Sequence, residues 1–92
     1  MTEIHMDVDS VRAVIQLLAR KKGELEGFIS GVSRDVDGLE GVAWIGEAPA
    51  QFFYEYAELR EDLMEQVRYT QTLADRLTQA IADYEAAAAK LD

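Results

Sequence analysis

The chain has 92 residues, with nine Lys and Arg against 18 Asp and Glu, a formal net charge of −9 and no cysteine. A chain this short is one domain at most and buries only about 60 to 65 per cent of the surface its unfolded form exposes, so a core of its own is marginal. The acid excess argues against a nucleic-acid partner, whose phosphates need a basic face; the lack of thiols excludes disulfides and thiolate metal sites.

The acids are spread along the chain: residues 1 to 40 carry eight acids and five bases, residues 41 to 92 ten acids and four bases. The one basic cluster, Arg20-Lys21-Lys22, is short and reads as a solvated face. Aromatics make up 9% of the chain, and Ala, Val and Leu dominate its apolar fraction, which is a helical composition. No run of about 18 apolar residues is present, so no transmembrane helix is expected. There is no basic-then-apolar leader at the start, so export, if it occurs, is expected to use another route.

At the N-terminus Glu3, His5, Asp7 and Asp9 alternate, which would put all four on one side of an extended tail. A metal site needs an ordered scaffold, so the expectation is a frayed acidic terminus and no metal. Asp7, Asp9 and Ser10 are candidate N-caps. From Val8 the apolar residues recur at intervals of three and four: Val8, Val11, Ile15, Leu18, then Lys22, then Leu25, Ile29, Val32, Val36 and Leu39. This spacing predicts one amphipathic helix over about 8–40, roughly 50 Å long. Val14 and Phe28 widen the apolar face beyond a two-stranded seam, which suits a bundle. Gly23, Gly27 and Gly31 recur every four residues and either admit a close helix neighbour or loosen the segment.

Gly38 and Gly41 then offer places for the helix to end. A turn is predicted over about 41–47, and it holds the only tryptophan, in Trp44-Ile45-Gly46. Pro49 is expected at the start of a second helix, either as its first residue or in a first turn capped by Gly46. That helix is predicted over about 48–90, with a stripe of Phe52, Tyr56, Leu59, Leu63, Gln66, Thr70, Leu73, Leu77, Ala80, Tyr84, Ala87 and Leu91. Val67, Ala74 and Ile81 broaden it around the two polar positions. Two such helices make an all-α antiparallel hairpin, and a hairpin with broad apolar faces needs a second one, giving a four-helix bundle by dimerisation.

Ingredients for catalysis are scarce. The only histidine precedes the first helix, no thiol exists, and the carboxylates fall on polar faces, so no enzyme and no cofactor are expected. Interfacial helices usually carry Lys and Arg on the polar face, which argues against membrane contact near neutrality; protonation of the acids at low pH weakens that objection. At the turn, Trp44 is expected to cover the end of the core, and Gly46 to take a backbone conformation closed to other residues.

Trp44-Ile45-Gly46 stands midway along a chain of about a hundred residues, between two long helices, and is followed by Ala48, Ala50 and Phe52. In this the chain resembles the WXG family of small type VII secretion proteins, the early-secreted-antigen-like proteins, over essentially its whole length. The resemblance implies a hairpin that pairs head to tail with itself or with a related small helical protein, folds in the cytoplasm, and is exported by a leaderless route through a complex driven by a secretion ATPase. It assigns Trp44 and Gly46 to the tip motif, which in the family lies beside the C-terminal end of the partner's second helix. The family's C-terminal signal is Tyr, three residues, then an acid. Tyr84 is the candidate here, but Ala88 stands where the acid belongs, and Tyr54 to Glu58 fits the letters at the wrong end of the helix. The resemblance thus implies a secreted effector or an escort. The residues alone also admit a cytoplasmic adaptor that buries a partner's amphipathic helix, or an acid-activated membrane-disrupting effector.

Overall fold

The computed structural model describes residues 5–91; Glu3 of the alternating N-terminal carboxylates lies outside them. Two helices account for the architecture: α1, Val8–Asp37, and α2, Glu47–Ala89. They form an antiparallel hairpin measuring 70 × 20 × 15 Å. Arg12 reaches Glu85 at 3.7 Å near the open end. Lys22 Nζ donates to Gln71 Oε1 at 3.0 Å midway, and Ser33 and Tyr56 share a 2.8 Å hydrogen bond near the turn.

α1 begins where a carboxylate can satisfy its orphan amides. Asp7 is the N-cap: Oδ1 accepts from the Ser10 backbone N–H at 3.2 Å and Oδ2 from the Ser10 hydroxyl at 2.8 Å. These hydrogen bonds from Ser10, side chain first, hold the Asp7 carboxyl below its ordinary value of 3.8. The depressed group stabilises the fold near neutrality and loses that contribution as pH falls below 3.8 through its folded-state value. Asp7→Ala should therefore lower the melting temperature at neutral pH, Asp7→Asn should retain most of the cap, and the gap between wild type and Asp7→Ala should close in strong acid. A gap that persists there would mean the ionised cap is not the cause.

α1 ends at Asp37, short of the expected boundary near 40. Gly38 is the C-cap with right-handed φ, and Leu39 and Glu40 close i→i−3 bonds to Val36 and Asp37, tightening the last turn. Gly41, at φ 76°, then reverses the chain. The Leu39 carbonyl accepts from both Ala43 and Trp44, at 3.1 and 2.9 Å. Gly46 is the N-cap of α2, which puts Pro49 in the third helical position, where a missing N–H costs nothing.

The buried apolar side chains are few: Ile29, Val67, Ala74 and Ile81, with Pro49 at the turn. The chain exposes 7127 Å², whereas a compact protein of this mass exposes roughly 5,400 Å². Helix α2 carries two apolar rows. The inner one, which includes Val67, Ala74 and Ile81, packs on α1. The outer one, Phe52, Leu59, Gln66, Leu73, Ala80 and Ala87, stands one residue earlier and faces outward or half-outward. The stripe legible in the sequence thus mixes both rows. Helix α1 repeats the pattern: Val14, Leu17 and Phe28 each precede an inner-row residue and are 45%, 41% and 60% exposed.

An antiparallel pair has its local two-fold axis normal to the plane of the hairpin, so the same flank of both helices shows on the same face. The residues preceding each inner row therefore compose one continuous face, on which Val14, Leu17, Phe28, Phe52, Leu59, Tyr69 and Leu73 stand among charged side chains. Those following it, among them Arg12, Glu26, Ser33, Arg68, Gln71 and Glu85, compose the polar one. The polar interruptions do not stack on each other: Lys22 pairs with Gln71, whereas Thr70 turns its hydroxyl to the carbonyl of Gln66 at 2.8 Å.

The three glycines of α1 mark no single contact line. Gly31 lies in the outer row, Gly23 on the polar face and Gly27 on the back, and a Cβ at any of them meets nothing within 4 Å. Gly27→Ala is accordingly expected to stabilise the hairpin by about 0.5–1 kcal/mol through helix propensity. Denaturant titration checks this, and a loss of stability would reveal a neighbour packed against the back of α1.

Candidate functional site at the hairpin tip

The turn gathers most of the aromatic side chains of this end of the hairpin. Trp44 lies 5.4 Å from Phe52 and 6.2 Å from Phe53, ring centre to ring centre; Phe52 and Phe53 meet edge to face at 5.4 Å, and Phe52 stacks over Tyr56 at 6.4 Å. Such pairs contribute about 0.5–1.5 kcal/mol each beyond their buried area. Trp44 is thus pinned by α2 while remaining 39% exposed. Its neighbours in the loop project freely, Val42 at 84% and Ile45 at 76%.

Gly46 fixes the geometry of this tip. Its φ of 141° and ψ of −165° fall in a region that is essentially glycine's alone. A Cβ there would meet only the Pro49 ring, at 3.7 Å, so backbone conformation and not space demands the glycine. The hollow among Glu40, Gly41, Trp44, Ile45, Pro49 and Phe53 measures about 200 Å³, below the 300 Å³ or so at which small-ligand pockets begin. What the tip offers is a displayed apolar surface.

Tyr84 is half-buried at the other end of the molecule, over a shallow apolar hollow shared with Ala87, Ala88 and Leu91. At 1.5 Å per residue it stands roughly 55 Å along α2 from the tip. One chain therefore does not bring Tyr84 to Trp44 and Gly46. Among the described residues no three His, Asp or Glu side chains converge as a metal site would require, and no helix is long and apolar enough to cross a membrane. The outer apolar row is the feature that the spacing obscured: Val14, Leu17 and Phe28 on α1, and Phe52 and Leu73 on α2, each stand one residue ahead of a better-buried neighbour.

Two long antiparallel helices joined by a glycine-held aromatic tip define a small helical-hairpin protein whose distinctive surface is a turn. A family model described as WXG100, proteins of 100 residues with WXG, matches residues 3–88, and the chain belongs to that family. The family is associated with small type VII secretion substrates. No curated protein and no solved structure matches the chain.

Proposed function

We propose that this protein is a noncatalytic type VII secretion substrate or secretion partner that works as a dimer, with the tip as the surface read by the export machinery and its ATPase. The observation that carries the reading is the tip itself: Trp44 held by two phenylalanines, Ile45 projecting, and Gly46 locked in a conformation that sets where both point. The family match supports the export role. The open apolar face and the surface in excess of a compact fold, roughly 1,700 Å² per chain by the same scaling, support pairing, since stable obligate interfaces bury upwards of about 2,000 Å² in total.

Pairing also bears on Tyr84. Only a second subunit, running the other way, can place a Tyr84 beside a Trp44, which makes a composite signal a property of the dimer. The test is Trp44→Ala, expected to remain helical and paired while its appearance in the culture supernatant falls. Unchanged secretion of a folded Trp44→Ala protein removes the tip as signal. The open face also suits a cytoplasmic adaptor that captures an amphipathic helix; cell fractionation separates the two, because an adaptor never reaches the supernatant.

A further inference from the structure

Apolar exposure is concentrated at the turn. Of the twelve large apolar side chains left exposed among the described residues, six fall within residues 39–54: Leu39, Val42, Trp44, Ile45, Phe52 and Tyr54. They gather at one end of a rod 70 Å long. Charge distinguishes this end from the other. Folding back sets residues 28–46 beside 47–65, and this turn half carries nine acids and two bases. The open-end half, residues 5–27 and 66–91, carries seven of each. Glu40 shares a hollow with Trp44 and Ile45, and Glu47 shares one with Tyr54. Of the nine acids only Glu61 makes an ion pair among the described residues, with Arg68 at 3.1 Å.

We infer that the apolar tip docks on a protein surface of complementary kind, one on which Lys and Arg side chains surround apolar residues. The inference rests on the reading of the tip as the surface met by the export machinery, and it adds the chemistry of what meets it.

Three observations carry it. The exposed apolar residues supply a patch of the kind that marks an interaction site, and the acids bordering it set the sign of the partner. The same acids repel an anionic lipid surface. Second, pairing of two hairpins leaves the charge in place. An antiparallel second copy sets its open end beside the tip, and that end has as many bases as acids, so the excess of seven acids, nine less two, persists in the dimer.

Third, several of these acids stand where folding disfavours them. Asp35 and Asp37 occupy the last turn of α1 and Glu40 follows it, at the negative end of the helix dipole, where Arg34 is the favourable charge. Glu47, in the first turn of α2, is the one placed at a favourable pole. Hairpin stability does not account for the carboxylates at the end of α1, and residues that break a local rule in this way belong to functional surfaces. An external basic partner gives their charge a use.

Trp44, the only tryptophan, reports docking through its fluorescence. The probe is a short peptide alternating Lys and Leu, compared with one in which Ser replaces Leu and one in which Glu replaces Lys. The first should shift the Trp44 emission to the blue, and the other two should not. Asp37→Asn combined with Glu40→Gln should weaken that binding roughly tenfold. Its thermal midpoint should stay level or rise, because both lost charges oppose the dipole. Asp75→Asn combined with Asp83→Asn changes the net charge equally at the open end and should bind as wild type does. Equal weakening by the two double variants, equal binding of the three peptides, or the same blue shift on phosphatidylglycerol vesicles overturns the inference. Secretion is read separately. If the Asp37→Asn, Glu40→Gln protein loses the peptide and still reaches the supernatant, the basic-partner surface stands and its export role falls. If it keeps the peptide and is no longer secreted, the export role stands and the inference falls.

Discussion

Ile29→Ala should cost the hairpin about 2–4 kcal/mol, while Phe28→Asp, one residue earlier, should leave it folded and weaken the pairing proposed above. The contrast follows from a single step of 100° around α1. Ile29 is 3% exposed and is the one buried side chain that α1 contributes to the apolar core. Val67, Ala74 and Ile81 of α2 are the others. With so few contributors, a cavity at Ile29 has no second layer to collapse into, and a loss of that size is a large share of the stability a chain this short can have. The thermal midpoint and the helical signal should both fall.

Phe28 is 60% exposed. Its replacement by a carboxylate removes little from the isolated hairpin and places a charge in the middle of the apolar face. At interfaces, loss of a central aromatic anchor commonly costs 2 kcal/mol or more, about thirtyfold in dissociation constant. Thermal denaturation at low concentration and sedimentation at high concentration together read out both effects. If Phe28→Asp unfolds the hairpin as Ile29→Ala does, the two rows are one core and the face described above is not a face.

Much of this was legible in the letters. Intervals of three and four over nearly the whole chain, broken once at Gly38 to Gly46, leave little choice but two helices and one turn. The unbroken α2, with Gly and Pro only at its start, fixes their relative length. What the letters hide is which apolar row turns inward. On α2 the bulkier residues, Phe52, Leu59 and Leu73, pull the eye to the outer row. The inner row uses Val67, Ala74 and Ile81, whose smaller average size lets the helices approach. Hydropathy ranks side chains by what burial would gain, and the closest helix contact often goes to the residues that fit.

The lengthwise polarity is hidden for a different reason. Counting acids along the chain compares α1 with α2, whereas the physical division runs across both, between the turn and the open end. Only the fold sums Asp35 with Glu55 and Asp62. The site divides in the same way. Trp44 and Gly46 announce themselves as the sole tryptophan and a glycine at the one break, and the structure sets them at the tip. Tyr84 shares a helix with that tip and is kept from it by the helix's own length, so any joint role of the three is decided between chains.

Gly46→Ala is expected to destabilise the hairpin by about 1–3 kcal/mol, the cost of holding an L-residue in a sparsely populated backbone region. The expectation is specific about mechanism. The added methyl would find ordinary contact distance to the Pro49 ring, 3.7 Å, so the strain lies in the dihedral angles and not in crowding. A D-alanine at the same position, introduced by chemical ligation, prefers the mirror-image region and should restore stability, its methyl taking the place of the other Cα hydrogen. Equal losses for the two would mean that backbone conformation is not what selects glycine. The pair also separates two meanings of the motif. If Gly46 serves only to aim Trp44 and start α2, the D-alanine protein should keep the aromatic cluster and, on the proposed export role, reach the supernatant to the wild-type extent. If the export machinery approaches the bare backbone closely, the D-alanine protein should fold, pair and stay behind.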